Sequence, residues 1–472
     1  MTTTPTGAKG IAAAPVPRAS AGLKITALAT GFVMATLDMT VVNVAGATIQ
    51  ERLHATLTQL TWIVDGYVLA FASLLLLGGG VANRLGAKTT YMWGMAIFVG
   101  ASLACALSPS GAALIAARFV QGAGAALFMP SSLSLLVFSF PDKRERTRML
   151  GLWSAIVAIS AGLGPTVGGL AVSSLGWQSI FLLNLPVGAI GMVLTLRYVD
   201  AAKGNSTRSA IAVPGHAIWI TALAALSFAL IEGPRLGWSA GPVLVAYVMG
   251  ALAALLLSAR ERRSRGNPVM PWTLFRNLGF SGANAVGFLF NFAIFGSIFV
   301  LSLYLQHARG ASPLQAGLEL LPMTSFFPIA NVVFSRISGR FTNGPLLTCF
   351  LLVAAIASLT MITISASTPY WVIAVAVGIA NIGAGIIAPG MTAALVDAAG
   401  PENANIAGSV LNTNRQIGSL VGIAAVGVVL HSAHDWDQGA AGSFLLVGIA
   451  YLGAAVCAWQ FIIRSERSEA AK

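Results

Sequence analysis

Five ionisable side chains interrupt long apolar stretches of this sequence. Two are aspartates, one is a glutamate and two are arginines: Asp38, Asp65, Glu319, Arg118 and Arg415. Ionisable groups within a membrane are costly and commonly mark proton relays, ion pathways or ligand sites. A carboxyl group withdrawn from water also favours its neutral form, which allows it to bind and release protons. Asp38 and Asp65 are therefore candidate proton-binding groups.

Each acidic residue also has a structural interpretation. Asp38 could act only as a hydrogen-bond acceptor for Thr40, Asn43 and neighbouring helices. Asp65 and Glu319 lie closer to the ends of their apolar stretches, so each could instead be a polar residue that lines an outer vestibule. Both interpretations stay open at the level of the sequence.

The two arginines differ in what their sequence neighbours offer. An unpaired arginine in hydrocarbon is unfavourable, so Arg118 is expected to pair with a carboxylate, either Asp38 or Asp65. Glu232 lies at the end of an apolar stretch and is expected at the membrane interface. Amide side chains surround Arg415 and predict a buried hydrogen-bond cluster, structural or substrate-facing: Asn412, Asn414 and Gln416.

Aromatic residues cluster in the ninth and tenth apolar stretches: Phe288, Phe292, Phe326 and Phe327. Together with Glu319 and Arg415 they are candidates for the lining of a hydrophobic substrate pocket. Ordinary helix packing is the alternative interpretation of each aromatic residue.

These residues lie in a chain with very few charges. Of its 472 residues, 56% are hydrophobic and 9% are charged, whereas an average soluble domain is about 25% charged. So few charges cannot cover a water-facing surface, which excludes a soluble enzyme, and the apolar content excludes a disordered chain. A bilayer core takes about 20 apolar residues per helix. Stretches of that length predict an all-α membrane protein with fourteen spans, at 24–48, 59–80, 89–108, 111–137, 149–174, 178–198, 214–233, 241–259, 279–304, 314–336, 345–366, 370–396, 406–430 and 441–463.

The positions of the cations predict the orientation of the spans. With the N-terminus in the cytoplasm, 22 of the 27 Lys and Arg residues fall in cytoplasmic loops and tails. Three fall in outer loops, and two, Arg118 and Arg415, fall within spans. Because Lys and Arg of short loops favour the cytoplasmic side, a multi-pass membrane protein with both termini cytoplasmic is predicted. The net charge of +12 is thus a topology signal, and no nucleic-acid partner is expected.

The segments between the spans are short, at most about 20 residues, which leaves no room for a catalytic or nucleotide-binding domain. The glycine-rich stretch at 80–88 lacks the lysine directly after glycine that a phosphate-binding loop requires. Cys105, Cys349 and Cys457 are far apart and have no metal-ligand spacing. We therefore expect no enzyme, no metal site and no cofactor.

Three groups of small and polar residues follow one another in the first half of the chain. Small residues four apart allow close helix approach, and a proline loosens the helix backbone, although ordinary packing is the alternative for any one of them. The residues are Gly79, Asn83, Arg84 and Gly86 after the second span, Gln121 and Gly122 in the fourth, and Gly164, Pro165, Gly168 and Gly169 in the fifth.

In this order and at these spacings, the motifs resemble those of the major facilitator superfamily. The stretch 37–45 resembles the first-helix motif of its fourteen-span drug:proton antiporters, and 164–169 resembles the antiporter signature G-P-x-x-G-G. The resemblance extends from residue 23 to residue 463. Within that family, an antibiotic-resistance group is the nearest in likeness, through 24–31, 213–216 and 397–405.

Several positions depart from the family pattern. Asn83 stands where the family usually has an aspartate that joins a charge network of the outward-open state. An asparagine can hydrogen-bond Arg84 or a helix end but cannot form an ion pair. The sequence therefore does not predict that this charge network forms here. Ala87 replaces a usual arginine, and Ser160 replaces the first glycine of the antiporter signature.

The resemblance also implies an architecture. It consists of six-helix bundles at 24–198 and 278–463, a linker region at 199–277 with two extra helices, and cytoplasmic tails at 1–23 and 464–472. Substrate would bind near the midplane between the bundles, which rock to expose it alternately to each side.

The implied activity is export of a small drug or antibiotic by a monomer, in exchange for protons. Asp38, or else Asp65, would release its proton inward as the drug binds, and Arg118 would favour that release in one state. Uptake of a metabolite by proton symport is an alternative with the same fold. A membrane transferase using the loop 434–437, or a non-transporting sensor, is a further alternative from another class.

Overall fold

The structure, a computed structural model, describes residues 18–140, 142–201, 213–263, 272–324, 330, 342–400 and 404–470. The described residues are helical almost throughout, which confirms the all-α prediction. In chain order the helices are α1 Arg18–Leu53, α2 Leu57–Leu85, α3 Ala87–Ala106, α4 Gly111–Ser139, α5 Lys143–Leu175, α6 Ser179–Leu182, α7 Asn184–Tyr198, α8 Val213–Leu236, α9 Gly241–Arg263, α10 Leu278–His307, α11 Pro313–Glu319, α12 Asn343–Thr360, α13 Tyr370–Ile382, α14 Ala384–Ala399, α15 Ala404–Ser432, α16 Trp436–Cys457 and α17 Ile463–Ala470.

Thirteen stretches of the described chain are helices long and apolar enough to cross a membrane. They coincide with thirteen of the fourteen predicted spans. The remaining prediction, 314–336, begins with α11 and then lies largely outside the described residues. Two spans are broken, one at Leu183 into α6 and α7 and one at Gly383 into α13 and α14. At Leu183 the cause is Pro186, which lacks the N–H that would bond the carbonyl of Leu182.

Successive helices run in opposite directions, so their ends gather at two faces of the molecule. We name these the His54 end, where α1 meets α2, and the Gly86 end, where α2 meets α3. At the His54 end, Thr56 and Gln59 form a capping box that starts α2. At the Gly86 end, Gly86 has a φ of 92°, a conformation that glycine adopts readily, and this lets the chain turn directly into α3.

Among the described residues, the main hydrophobic core shared by the two halves lies at the His54 end. That shared core combines side chains of α1, α2, α10, α11 and α15, among them Val44, Leu301 and Val426. Toward the Gly86 end the core divides into one cluster built mainly from α1–α4 and another built from α10, α12 and α14–α16. Leu420 and Ile417 of α15 are the members of the first cluster that come from the second half. In the part of the chain that the structure describes, the halves therefore pack most extensively at the His54 end and share little core toward the Gly86 end.

Helices α8 and α9 lie beside this arrangement, and α8 packs against both α2 and α15. Trp62 of α2 donates its Nε1–H to Glu232 Oε1 of α8 at 2.9 Å. Glu232 also pairs with Arg235 at 2.7 Å. Glu232 was expected only at the membrane interface. Its hydrogen bond with Trp62 also holds α8 against α2 and so attaches the added helix pair, α8 and α9, to the first half of the chain.

Candidate functional site

An ion pair between Asp38 of α1 and Arg118 of α4 lies in the interior of the first half. The Arg118 Nη1 donates to Asp38 Oδ2, and the two side chains are 1% and 0% exposed. This geometry settles which carboxylate accompanies Arg118. The partner is Asp38 and not Asp65.

Amide and hydroxyl groups from α4 and from two further helices, α3 and α7, complete the surroundings of Asp38. Gln121 Nε2 donates to Asp38 Oδ1 at 2.8 Å, and Asn184 Nδ2 donates to the same oxygen at 3.4 Å. Ser102 Oγ accepts from Gln121 at 2.9 Å and from Asn184 at 3.2 Å. The carboxylate is therefore held by donors from α4 and α7, which Ser102 of α3 orients.

Arg118 is satisfied in a similar way. Its Nε donates to the carbonyl oxygen of Ile63 at 2.9 Å, and its Nη1 donates to Gln121 Oε1 at 2.7 Å. The guanidinium carbon lies 4.4 Å from the ring centroid of Tyr67, which adds a cation–π contact. A buried ion pair is stable only when such additional bonds offset the loss of hydration, and here they are present.

The network can perform one kind of chemistry. Protonation of Asp38 would remove its charge and release Arg118, and loss of that proton would restore the pair. Of the structural partners expected for Asp38, Thr40 and Asn43 donate to backbone carbonyls of α1 instead. The neighbouring helices do supply donors to Asp38, through Gln121 and Asn184.

Asp65 is fully buried in α2 and stands outside this network. Neither of its carboxylate oxygens has a hydrogen-bond partner among the described residues. In this conformation the Asp65 side chain does not reach solvent, so it lines no open vestibule here. A buried carboxylate without partners is unfavourable unless it takes up a proton or moves toward a donor.

Glu319 ends α11 and lies partly buried near the His54 end. Its Oε1 accepts from Gln315 Nε2 at 2.8 Å, whereas its Oε2 has no partner among the described residues. Tyr370 donates its hydroxyl to the Glu319 backbone oxygen at 3.1 Å. This position agrees with a residue at the side of a vestibule.

Arg415 lies half-buried on α15, against Gly287 of α10. Its Nε is buried without a hydrogen-bond partner, and no described residue forms an ion pair with it. Asn414 Nδ2 donates to the Asn284 carbonyl oxygen at 2.5 Å, and Gln416 Oε1 is buried without a partner. Among the described residues, none of these amide side chains bonds to the Arg415 guanidinium, so the predicted hydrogen-bond cluster is not seen around it.

The predicted aromatic lining is described only in part. Phe288 is half-buried, and Phe292 belongs to the hydrophobic core of the second half. Their backbones lie against Gly418 and Gly422, so this stretch of α10 packs closely on α15. Phe326, like its neighbour at 327, lies outside the described residues.

The antiporter-type motif of α5 divides between two neighbours. A side chain at Gly168 would meet Cβ of Val41 at 2.9 Å, and Gly164 adjoins Thr40, so both glycines seat α5 on α1. Gly169 faces away from α1 and adjoins Pro313 of α11. The carbonyl of Pro165 adjoins Gly317 of α11, where Thr166 Oγ1 donates to the Gly317 oxygen at 3.3 Å. The motif therefore joins the two halves at the His54 end.

The glycine-rich stretch after the second span lies at the Gly86 end. Gly79 has open space around it, and Asn83 and Arg84 are exposed. Arg84 has no ion-pair partner in the described part of the chain. Gly122 has a different role, because it allows α4 to approach the Tyr67 carbonyl of α2.

Sequence reasoning missed Ser102, the hydroxyl between Gln121 and Asn184. A serine within a run of small residues carries no distinguishing signal.

The alternative of a metal-dependent transferase loses its candidate loop, since Asp435 caps α16 and Asp437 accepts from Tyr304 at 2.8 Å. Within the described ranges, no cluster of three or more His, Cys, Asp or Glu side chains is suited to a metal ion.

The sequence matches one known family. A model described as Major Facilitator Superfamily matches residues 28–423 and 285–472. The chain is 73% identical over 475 residues to a methylenomycin A resistance protein of Streptomyces coelicolor, covering 100% of this chain and 99% of that protein. It is 48% identical over 436 residues to a methylenomycin A resistance protein of Bacillus subtilis, covering 92% and 93%. It is 33% identical over 436 residues to a tetracenomycin C resistance and export protein of Streptomyces glaucescens, covering 90% and 78%. Both the family resemblance and its narrower antibiotic-resistance likeness are confirmed.

Proposed function

The chain belongs to the major facilitator superfamily, and we propose that it exports a small antibiotic, methylenomycin A or a similar compound, in exchange for protons. Membership of this family identifies a transporter and not an enzyme. Its relatives include antibiotic-resistance proteins and an export protein, which supports a drug as the cargo and outward transport as the direction. The observation that carries proton coupling is the buried Asp38–Arg118 pair with its complete set of hydrogen bonds.

We place the six-helix bundles of the transporter at 24–198 and 278–463, with 199–277 as the linker region that carries α8 and α9. The shared core at the His54 end and the divided cores beyond it support this division. In an alternating-access cycle, this arrangement corresponds to a substrate path that is closed at the His54 end.

The distribution of cations supports the orientation. The loops of the Gly86 end carry most of the Lys and Arg residues, and the His54 end carries Arg52, Arg235 and Arg309. By the positive-inside rule the Gly86 end is cytoplasmic, and both termini lie in the cytoplasm of a bacterial cell. The described conformation is then closed to the outside.

The proposed coupling uses Asp38 as the first proton carrier. In the outward-facing state, a proton from the medium neutralises Asp38 and frees Arg118 from it. In the inward-facing state, the pair forms again, the proton leaves to the cytoplasm and the antibiotic binds. Asp65 is the second proposed carrier, because its unbonded carboxyl lies in the same half of the protein.

The test combines resistance and flux. A drug-sensitive, efflux-deficient bacterium that expresses the protein is expected to survive methylenomycin A at concentrations that kill the same bacterium without the protein. In proteoliposomes, methylenomycin A is expected to drive proton movement, and Asp38→Asn is expected to abolish it. Asp397→Asn, at an exposed aspartate of α14, is the matched control.

Two results would contradict the proposal. Equal killing with and without the chain would remove export of this antibiotic. Undiminished antibiotic-driven proton movement in Asp38→Asn would remove Asp38 from the coupling.

A further inference from the structure

The second half of the chain contains a half-buried positive charge, Arg415, that no described residue neutralises. Arg415 has no ion-pair partner there, and its Nε is buried without a hydrogen bond. The fully buried arginine, Arg118, is by contrast occupied by Asp38 and its neighbours. A half-buried cation within a membrane span is costly when no described residue pairs with it, and an anionic ligand would compensate it.

The unbonded carboxylate of Asp65 is too distant to be that anion. Thr61 of α2 lies level with Gly427 of α15 at the His54 end. From there toward the Gly86 end, Asp65 lies four residues along α2 and Arg415 twelve residues along α15. At 1.5 Å per residue, the two side chains differ in depth by about 12 Å. In the described conformation Asp65 is therefore not placed to pair with Arg415, and the arginine is left for a ligand.

The surroundings of Arg415 are polar on one side and apolar on the other. Gly287 of α10 leaves room for its aliphatic stem, and Leu411 and Met391 adjoin the same glycine. The Nδ2 of Asn284 is bonded to the Phe280 carbonyl, which leaves its Oδ1 buried and unpartnered. These groups offer one cation, spare amide oxygens and apolar surface, but no second positive charge among the described residues.

We propose that Arg415 binds the carboxylate of a small, largely apolar organic acid, and that such monoanions are the substrate class of this transporter. A guanidinium presents parallel N–H donors that match the two oxygens of a carboxylate. A phosphate at neutral pH carries nearly two charges and would keep an uncompensated negative charge beside a single arginine. The apolar side of the site suits a hydrocarbon body, and the free amide oxygens suit hydroxyl donors on it.

This inference rests on the proposed export function, so its primary test measures binding without transport. The probe is 1-naphthoate, with uncharged 1-naphthamide as the isosteric comparison, on purified full-length protein in detergent. Wild-type protein is expected to bind the acid about tenfold or more tightly than the amide. Arg415→Gln should remove that preference, whereas Arg415→Lys, which keeps the charge but loses the paired donors, should retain part of it.

The control variant is Arg276→Gln, which removes the same charge at an exposed position beside α10 and should leave the preference intact. Size-exclusion profiles and melting temperatures establish that each variant is folded. Equal affinities of wild-type protein for acid and amide would overturn the inference. So would an unchanged acid preference in folded Arg415→Gln.

A second measurement separates this inference from the export proposal. In everted membrane vesicles, 1-naphthoate should inhibit methylenomycin A uptake more strongly than 1-naphthamide does, and Arg415→Gln should equalise the two. Absence of methylenomycin A uptake together with Arg415-dependent naphthoate binding would overturn the choice of antibiotic and support the anion site. Robust methylenomycin A uptake that 1-naphthoate and 1-naphthamide inhibit equally would support the choice of antibiotic and overturn the anion site.

Discussion

The indole of Trp62 in α2 and the carboxylate of Glu232 in α8 are joined by a 2.9 Å hydrogen bond that crosses from the first six spans to the added helix pair. Because α8 also packs on α15, this bond lies where both halves of the transporter meet the added helices. It makes α8 a part of the packed structure and gives it a measurable contribution to stability.

Trp62→Phe is expected to lower the stability of the purified protein by about 1–2 kcal/mol, since it removes the N–H donor and part of the ring. The measurement is thermal or denaturant unfolding in detergent. Trp371→Phe is the matched control, because Trp371 is 67% exposed and its replacement should change stability little. Equal losses in the two variants would show that the bond to Glu232 contributes nothing.

The Asp38–Arg118 pair predicts a characteristic double-variant result. Arg118→Gln leaves a buried carboxylate without its cation and should cost about 3–5 kcal/mol of stability. Adding Asp38→Asn removes that charge, so the double variant should recover most of the loss, although export stays abolished. Unfolding and proton-flux assays on the same preparations provide the two readouts.

The contrary outcome would be additive destabilisation by the two substitutions. Additive losses would mean that the charges of Asp38 and Arg118 do not stabilise each other. Arg84→Gln is the control, because this exposed cation lies at the Gly86 end and has no ion-pair partner in the described part of the chain.

Asp65→Asn should behave differently from Asp38→Asn. Neither oxygen of Asp65 is hydrogen-bonded to a described residue, so the amide removes a buried ionisable group without breaking a bond. Its melting temperature should equal or exceed that of the wild type, whereas antibiotic-driven proton movement should fall. A marked loss of stability would reveal a hidden partner, and unchanged flux would confine proton binding to Asp38.

Gly169→Ala should weaken the contact that closes the His54 end. The added Cβ would lie 3.0 Å from the Leu314 Cα and still closer to the Pro313 carbonyl, both of them backbone atoms of α11. Opening of that end should speed thiol labelling of Ser302→Cys from outside, in a background without the three native cysteines. Gly79→Ala, whose Cβ meets nothing within 4 Å, should leave the labelling rate unchanged. No acceleration in Gly169→Ala would show that this contact does not hold the end closed.

The sequence predicted the spans well because span length depends on a single quantity, the apolar thickness of the bilayer. It also required a carboxylate for Arg118, but it could not choose between Asp38 and Asp65. That choice depends on how α1 and α2 are rotated about their axes, and helices that are apolar all round carry no periodic signal of rotation. Ser102 was missed for the same reason.

The glycine motif of α5 shows what spacing alone can reveal. Gly164 and Gly168 are four residues apart, which places them on one face, and both contact α1. Gly169 is rotated by about a quarter turn from Gly168, and its contact with α11 follows from that rotation once the neighbouring helix is known. The unneutralised state of Arg415 could not be predicted, since it depends on which acids lie at the same depth.

The shared core at the His54 end has a thermal consequence. Opening that end to the medium exposes valine, leucine, isoleucine and phenylalanine side chains to water, and exposure of apolar surface raises the heat capacity. The attraction that keeps this end shut therefore weakens on cooling. The free-energy difference between the two access states should then vary non-linearly with temperature. Transport rates measured at one temperature will therefore not extrapolate simply to another.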